Sequence, residues 1–289
     1  MPEFDSDDFI MLPKVDFAFK EMMANANVRK GFLSAVLNIK DTDIKETTIA
    51  NPNMSGGNAD EKLSILDVRV LMNSSTEIDI EIQLGYYGTW AERSTFYITK
   101  MLTEQSDINK TYSNMKKCIG INILDFKYTK DDRYYKSYHI REDTTNEKFT
   151  DILEWHIIEL PKLPSESSGD NLYKWARFIK AVSKEEMEMI AQTDRYIAEA
   201  YKELEKISRD KLKKIEYTSR QKAIMDHNTI MEERYETGMH EGIQIGKEEG
   251  RKEGRKEGRA EGMAEKETQL IIKWREQGKS EEEIFELLN

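Results

Sequence analysis

The chain has 289 residues, of which 34% are charged, and a net charge of −11 at neutral pH, so one domain with solvated extensions is expected. The acidic balance argues against a generally basic protein that coats nucleic acid, but it is compatible with a small metal-dependent site, because a bound cation supplies local positive charge. The lone Cys118 cannot form an internal disulfide, and the chain has neither a signal sequence nor a run of 18 apolar residues. We therefore expect a cytoplasmic protein without a membrane span.

The N-terminal part predicts a flexible segment over residues 1–12, either disordered or loosely docked, and then two helices. The helices come from PKVDFAFKEMM and NANVRKGFLSAVLN, and Asn27 is the expected N-cap of the second. Asp16 and Lys20 are four residues apart, so they lie on one face of the first helix. Either they form a surface ion pair, or Lys20 supplies a cation to an acidic site.

A β-hairpin is predicted over residues 63–84, after a short edge strand in ETTIANP and a turn-rich loop. Both arms alternate apolar and polar residues, which is the pattern of strands with one buried face. Matching the two apolar rows with a three-residue loop at 73–75 pairs Val70 with Ile78.

The polar row of this hairpin brings carboxylates together. In the same register Asp67 lies opposite Glu81, and Arg69 lies opposite Asp79. A bulge or a five-residue loop would instead place Asp67 opposite Gln83, within diagonal reach of Glu81. In either register two carboxylates converge beside a carboxamide, and Mg²⁺ prefers such oxygen ligands. The alternative is an acidic strand face that meets only solvent, because paired carboxylates alone are a weak signal.

The next helix is predicted from AERSTFYITKMLTEQ, with Thr89 and Glu92 as its capping-box pair. Arg93 and Tyr97 share a face of this helix, and arginine binds phosphate bidentately, so both are candidate contacts to phosphate. The alternative is a solvated helix side with ordinary ion pairs. Three strands follow in KKCIGINILDFKY, YYKSYHIRED and ILEWHIIELPKL. Their two histidines lack a second metal-type residue at ligand spacing and are assigned structural roles.

These segments resemble the Rpn family of recombination-promoting nucleases, also described as PD-(D/E)XK nuclease family transposases. The resemblance runs in consistent order through PKVDFAFKEMM, ILDVRV, IDIEIQL, AERSTFYITKMLTEQ, CIGINILDF and WHIIELPKL, and it covers roughly residues 11–165. It implies an α/β fold with a restriction-endonuclease-like core, in which a mixed central sheet contains the hairpin and a helical C-terminal extension follows.

The resemblance also implies an activity, which is metal-dependent endonucleolytic hydrolysis of DNA, linked to recombination, mobile elements or phage defence. Asp67 corresponds to the metal-binding aspartate, and Glu81 and Gln83 correspond to the (D/E)-x-K element, with glutamine where lysine is usual. Mg²⁺, or Mn²⁺ in its place, would be held by Asp67 and Glu81, with the Ile82 main-chain carbonyl as a further ligand. Gln83 would orient the attacking water, and Lys20 is our candidate for the replaced lysine.

The remaining chain is charged and mostly helical in pattern. The linker signal SESSGD places the nuclease-like domain at residues 13–165 and a helical extension at residues 166–236, with Ser183 and Glu186 as another capping-box pair. A charged segment over residues 237–266 carries glycine at every fourth position. It predicts either a solvated, partly helical spacer or a close helix–helix contact that makes a homo-oligomer, because glycine weakens an isolated helix.

A C-terminal helical hairpin is predicted over residues 267–289, with Gly278 at its turn and Ser280 and Glu283 as a capping box. The hydrophobic core of this hairpin is too small for it to fold alone. We therefore expect the hairpin to bind a copy of itself or another protein, and not DNA.

Two functions are compatible with this sequence. The first is an active, Mg²⁺-dependent DNA endonuclease. The second is a catalytically inactive nuclease fold that serves as an oligomeric interaction module. The presence of Asp67 and Glu81 favours the first function, whereas the neutral side chain of Gln83 leaves room for the second.

Overall fold

The computed structural model describes residues 9–50, 68–85, 88–105, 111–166 and 169–288. Within these residues, helices precede, interrupt and follow one set of strands. In chain order the elements are α1 (Asp16–Met23), α2 (Ala26–Leu37), β1 (Thr47–Ile49), β2 (Val68–Met72), β3 (Thr76–Gln83), α3 (Trp90–Thr103), β4 (Lys117–Leu124), β5 (Tyr135–Arg141), β6 (Lys148–Glu159), α4 (Asn171–Lys180), α5 (Lys184–Ala191), α6 (Arg195–Arg209), α7 (Lys211–Glu276) and α8 (Glu281–Leu288).

The strands form one mixed sheet in the order β1-β2-β3-β4-β6-β5. The pairs β1–β2, β2–β3 and β5–β6 are antiparallel, whereas β3–β4 and β4–β6 are parallel. The parallel pair β3–β4 is connected through α3, as such a pair requires a crossover. The expectation of a mixed central sheet with the hairpin inside it is therefore confirmed, and so is the short edge strand β1.

The hairpin of β2 and β3 has the register that the apolar rows predict. Val70 pairs with Ile78, and the ladder ends at Met72, which pairs with Thr76. The intervening loop is residues 73–75, and Asn73 has a left-handed φ of 49°. Its side chain accepts from the main-chain N–H of Lys45 at 2.8 Å, which fixes the loop against the chain that enters β1.

The two faces of the sheet are covered by different helices. The apolar rows of β3 and β4 pack with residues of α1, α2, α4, α5 and α6 in the main hydrophobic core. On the other face, Ile98 and Met101 of α3 pack on Cys118 and Leu153 in a smaller cluster. Burial raises the pKa of the Cys118 thiol to about 12. Because side chains alternate along a strand, β3 presents one row to each of these environments.

Helix starts follow the capping signals with two differences. Ser183 accepts from the main-chain N–H of Glu186, as predicted. The cap of α2 is Asn25, whose side chain accepts from the main-chain N–H groups of Asn27 and Val28, so Asn27 is not the cap. Helix α3 begins after Thr89, but the Thr89 side chain makes no capping hydrogen bond.

The chain around the core extends further than the predicted domain limits. The Met11 main-chain N–H donates to Ser208 at 2.9 Å, and that of Leu12 donates to the Tyr217 hydroxyl at 3.0 Å. Residues 9–12, predicted as part of a flexible N-terminus, are thus packed, and residues 1–8 lie outside the described range. Contacts divide the chain into two units after Ile224.

The second unit contains α7 from Met225 onwards, and α8. Gly278 has a φ of +86° at the predicted turn. The Ser280 and Glu283 capping box forms reciprocally, at 2.9 and 3.3 Å, as predicted. Among the helices of the described residues, none combines the length and the apolar character that a membrane span requires.

Candidate functional site

The polar row of β3 is buried rather than exposed. Asp79, Glu81 and Gln83 are 5%, 2% and 7% exposed, because β2 and β4 flank the strand and α3 covers this face. The alternative of an acidic face that meets only solvent is therefore wrong for these three residues. Because polar side chains are costly to bury, this buried polar row is a candidate functional site.

Glu81 lies at the centre of this row. The Gln83 carboxamide nitrogen donates to the Glu81 carboxylate at 3.4 Å, and the Arg93 guanidinium lies 4.0 Å from its other oxygen. Arg93 in turn donates to the Tyr97 hydroxyl at 3.2 Å. The predicted residues Glu81, Gln83, Arg93 and Tyr97 are thus brought together, although they come from a strand and a separate helix.

A polar pair continues the row on the next strand. Asn122 of β4 is in register with Glu81 and is 2% exposed. Its side-chain oxygen accepts from the Ser94 hydroxyl of α3 at 3.2 Å. Ser94 and Asn122 therefore fix the first turns of α3 above the strand beside Glu81.

A second carboxylate, which was not predicted, lies at the ends of β3 and β4. The main-chain N–H of Asp125 donates to the carbonyl of Gln83 at 2.9 Å, and the Asp125 carboxylate pairs with Lys14 at 2.7 Å. Ligand sites in α/β sheets are common outside the carboxyl ends of parallel strands. The usable signal was therefore the aspartate that directly follows the buried run of β4.

Arg69 links the hairpin to the end of α3. It is in register with Asp79 as predicted, but its guanidinium pairs with Glu77 at 2.6 Å and with Glu104 at 2.8 Å. Burial lowers the pKa of Arg69, but the hydrogen bonds that its guanidinium donates to these carboxylates outweigh burial and raise the pKa overall. The Arg69 guanidinium therefore stays charged and links the hairpin to the end of α3.

The other predicted site residues are less directly connected to Glu81. Asp67 lies outside the described residues. Lys20 lies in the last turn of α1, whose buried residues pack on the sheet face opposite the Glu81 side chain. Ile82 directs its side chain into the main core, so only its main-chain carbonyl is a candidate ligand.

The donor set fits a hard divalent cation. A buried carboxylate and a carboxamide oxygen within one strand are oxygen ligands of the kind that Mg²⁺ and Mn²⁺ prefer. Within the described ranges, no three His, Cys, Asp or Glu side chains are grouped so that they could hold a metal ion.

Both histidines of the sheet are in a network on the opposite face. His156 contacts the Tyr135 hydroxyl and the Glu154 carboxylate, each at 2.7 Å, and His139 lies 3.9 Å from Glu154. Burial raises the pKa of Glu154, but hydrogen bonds from His156 and Lys117 outweigh burial and lower it to about 2. The network agrees with structural roles for the two histidines.

Three comparisons with known proteins bear on this site. A family model described as PD-(D/E)XK nuclease family transposase matches residues 13–234. The search of curated proteins and the search of solved structures gave no match.

Proposed function

Because the chain belongs to the PD-(D/E)XK nuclease family transposases, we propose that it is a metal-dependent endonuclease that hydrolyses phosphodiester bonds of DNA. The observation that carries the proposal is the buried pair of Glu81 and Gln83 on β3, covered by α3. These residues occupy the position of the family's (D/E)-x-K element. Recombination, mobile elements or phage defence are the processes that such an activity would serve.

We assign the metal to Asp67, Glu81 and the main-chain carbonyl of Ile82. The hairpin register predicted from the sequence places Asp67 opposite Glu81. When bound, Mg²⁺ or Mn²⁺ would supply Lewis-acid polarisation of the phosphoryl oxygen and a water of lowered pKa. Asp67 and Glu81 would hold this charge beside the scissile phosphate.

The side chains around the carboxylates would perform the remaining tasks. Gln83 orients the attacking water through its carboxamide, since a neutral side chain can hydrogen-bond but carries no charge. Arg93, steadied by Tyr97, binds a backbone phosphate of the DNA. Lys20 stays our candidate for the cation that the glutamine lacks, although α1 packs on the sheet face opposite the Glu81 side chain. If the Lys20→Ala protein cleaves DNA at the wild-type rate, Lys20 does not have this role.

Plasmid cleavage tests the assignment. Purified protein should nick supercoiled DNA with Mg²⁺, and EDTA should stop the reaction. Asp67→Ala and Glu81→Gln should each lower the rate by at least about 100-fold, because each removes a carboxylate that would hold the metal ion, whose positive charge neutralises the transition state. Glu147→Gln, at an exposed glutamate, is the matched control and should be fully active.

The outcome separates the two functions that the sequence allows. Unchanged nicking by both site variants would contradict the site, even if the wild type cleaves DNA. No nicking with Mg²⁺ or Mn²⁺ by a folded wild-type protein would favour the inactive interaction module.

The tail supports a homo-oligomer as a separate part of the proposal. Among the described residues, no atom outside the helix's own nearby backbone lies within 4 Å of a Cβ placed at any glycine from Gly238 to Gly262, so packing against them does not require these glycines. On a helix, the residues after and before each glycine lie on either side of the glycine row. Residues 247, 251, 255 and 259 on one side are basic, and residues 249, 253, 257 and 261 on the other side are glutamates.

These charges select a parallel pair of tails. When two parallel copies face each other through their glycine rows, the basic row of each lies beside the glutamate row of the other. An antiparallel pair would oppose like charges. We expect light scattering of the full chain to give at least a dimer. Exchanging Arg251, Arg255 and Arg259 for glutamate should dissociate it, whereas a monomeric wild type would contradict the tail contact.

A further inference from the structure

A cavity lies on the same sheet face as Glu81. Its volume is about 320 Å³, and it is open to solvent on one side of α3. Four aromatic side chains and two smaller ones form most of its wall: Trp90, Tyr128, Tyr138, Trp155, Ser94 and Ile157.

The fold holds these rings in fixed places. Tyr138 of β5 pairs directly with Trp155 of β6, so both point to this face. Gly120 of β4 leaves room for the indole, since a Cβ there would lie 3.3 Å from Cδ1 of Trp155. Trp90 meets Tyr128 edge-on, with ring centroids 4.7 Å apart.

The loop that carries Tyr128 is fixed from below. Glu159, at 1% exposure, accepts from the main-chain N–H of Tyr128 at 2.7 Å and from that of Thr129. Lys162 pairs with the same carboxylate at 2.8 Å. The Tyr128 ring is therefore presented by a loop with satisfied hydrogen bonds.

The indole nitrogens of the two tryptophans lie beneath the cavity surface. The indole nitrogens of Trp90 and Trp155 are buried, and neither has a hydrogen-bond partner among the residues that the structure describes. Trp90 is 3% exposed overall. Both nitrogens are fully buried, so the cavity offers a ligand the faces and edges of these rings and not their N–H groups.

The cavity lies beside the proposed nuclease site. Glu81, Asn122 and Ile157 form one register row across β3, β4 and β6. Two strand spacings of nearly 5 Å place the cavity floor about 10 Å from Glu81. The first turns of α3, with Ser94 bonded to Asn122, lie between the two sites.

We infer that this cavity binds an unpaired nucleobase of the DNA strand whose phosphate lies at Glu81. This inference rests on the proposed function. Bases present flat faces that stack on aromatic rings, and four such rings line this cavity. The substrate class is therefore DNA with an unpaired or extruded base next to the cleavage position.

Binding in EDTA tests the pocket without cleavage. The probes are a single-stranded oligonucleotide and an abasic strand of the same length and charge. Wild type should bind the base-containing strand more tightly, on the order of tenfold or above, because of stacking. Tyr138→Ala, and Thr95→Trp, which fills the cavity, should each reduce this preference several-fold. Tyr138→Phe should keep it, and so should Tyr112→Ala, which removes an 88% exposed tyrosine outside the cavity.

The failures of the two proposals are distinguishable. Equal affinity for both strands, by a protein that nicks plasmid with Mg²⁺, overturns the pocket alone. An undiminished preference in both Tyr138→Ala and Thr95→Trp also overturns the pocket alone. A folded protein that binds neither strand and does not nick plasmid overturns both.

Discussion

The two faces of strand β3 are equally buried, yet they differ in chemistry. One face presents Ile78, Ile80 and Ile82 to the main core, and the other presents Asp79, Glu81 and Gln83 to α3. Burial of the isoleucines is favourable through apolar area, whereas burial of the polar row has to be offset by hydrogen bonds and charges. Fractional exposure alone therefore does not distinguish a residue of the hydrophobic core from a residue of a functional site.

The largest expected effect concerns the apolar face. Ile80→Ala should lower the free energy of unfolding by about 2–5 kcal/mol, because it opens a cavity at a fully buried position. Urea unfolding measures this loss. Plasmid nicking should persist below the new melting temperature, since Glu81 is on the other face. Loss of nicking by a folded variant would show that the two faces are not separable.

A smaller effect is expected where the polar face contributes to stability. Arg69→Met should cost about 2 kcal/mol, because it leaves the carboxylates of Glu77 and Glu104 without their shared cation. The control is Lys148→Met, whose pair with Asp151 is exposed and should be worth less than about 0.5 kcal/mol. Equal costs in urea unfolding would contradict a role for the linked carboxylates.

Arg93 should affect activity without affecting stability. Arg93→Ala should weaken DNA binding about tenfold, through loss of a charge-assisted contact to phosphate. Its free energy of unfolding should stay within about 0.5 kcal/mol, because the side chain is 42% exposed. Cleavage rates at several DNA concentrations separate binding from turnover. A large loss of stability would instead assign Arg93 to the fold.

A pH-dependent effect concerns a polar group on the core side of the sheet. The pKa of Glu154 falls from its ordinary value of 4.5 to about 2 in the folded chain, because its bonds to His156 and Lys117 outweigh burial. Its stabilisation is present above pH 4.5 and is lost as pH falls towards 2. The free energy of unfolding, measured from pH 5 to 3, should lose this pH dependence in Glu154→Gln. An unchanged slope in that variant would assign the pH dependence to another group.

The hairpin register could be predicted because it depends on local rules. Side-chain alternation and a three-residue loop allow few pairings, and Val70 faces Ile78 as expected. The placement of Arg93 and Tyr97 on one helix face followed in the same way. The contact of Arg93 with Glu81 depends on the packing of α3, which a helical period does not determine.

Contacts between distant segments could not be predicted. Lys14 and Asp125 are 111 residues apart, and the four aromatic residues of the cavity come from α3, a loop and two strands. Their meeting depends on strand order, which one sequence does not reveal. The shift of the α2 cap to Asn25 has a local cause, because either of two nearby asparagines suits that position.

The shared row of Glu81, Asn122 and Ile157 has a consequence for the products of cleavage. Main-chain hydrogen bonds between three strands set the separation of the two proposed sites, so side-chain substitutions can change affinity but not this distance. The sheet would therefore fix the distance between the cleavage position and the bound base. Sequenced product ends should therefore fall at one constant offset from the unpaired base, in the wild type and in weakened pocket variants alike.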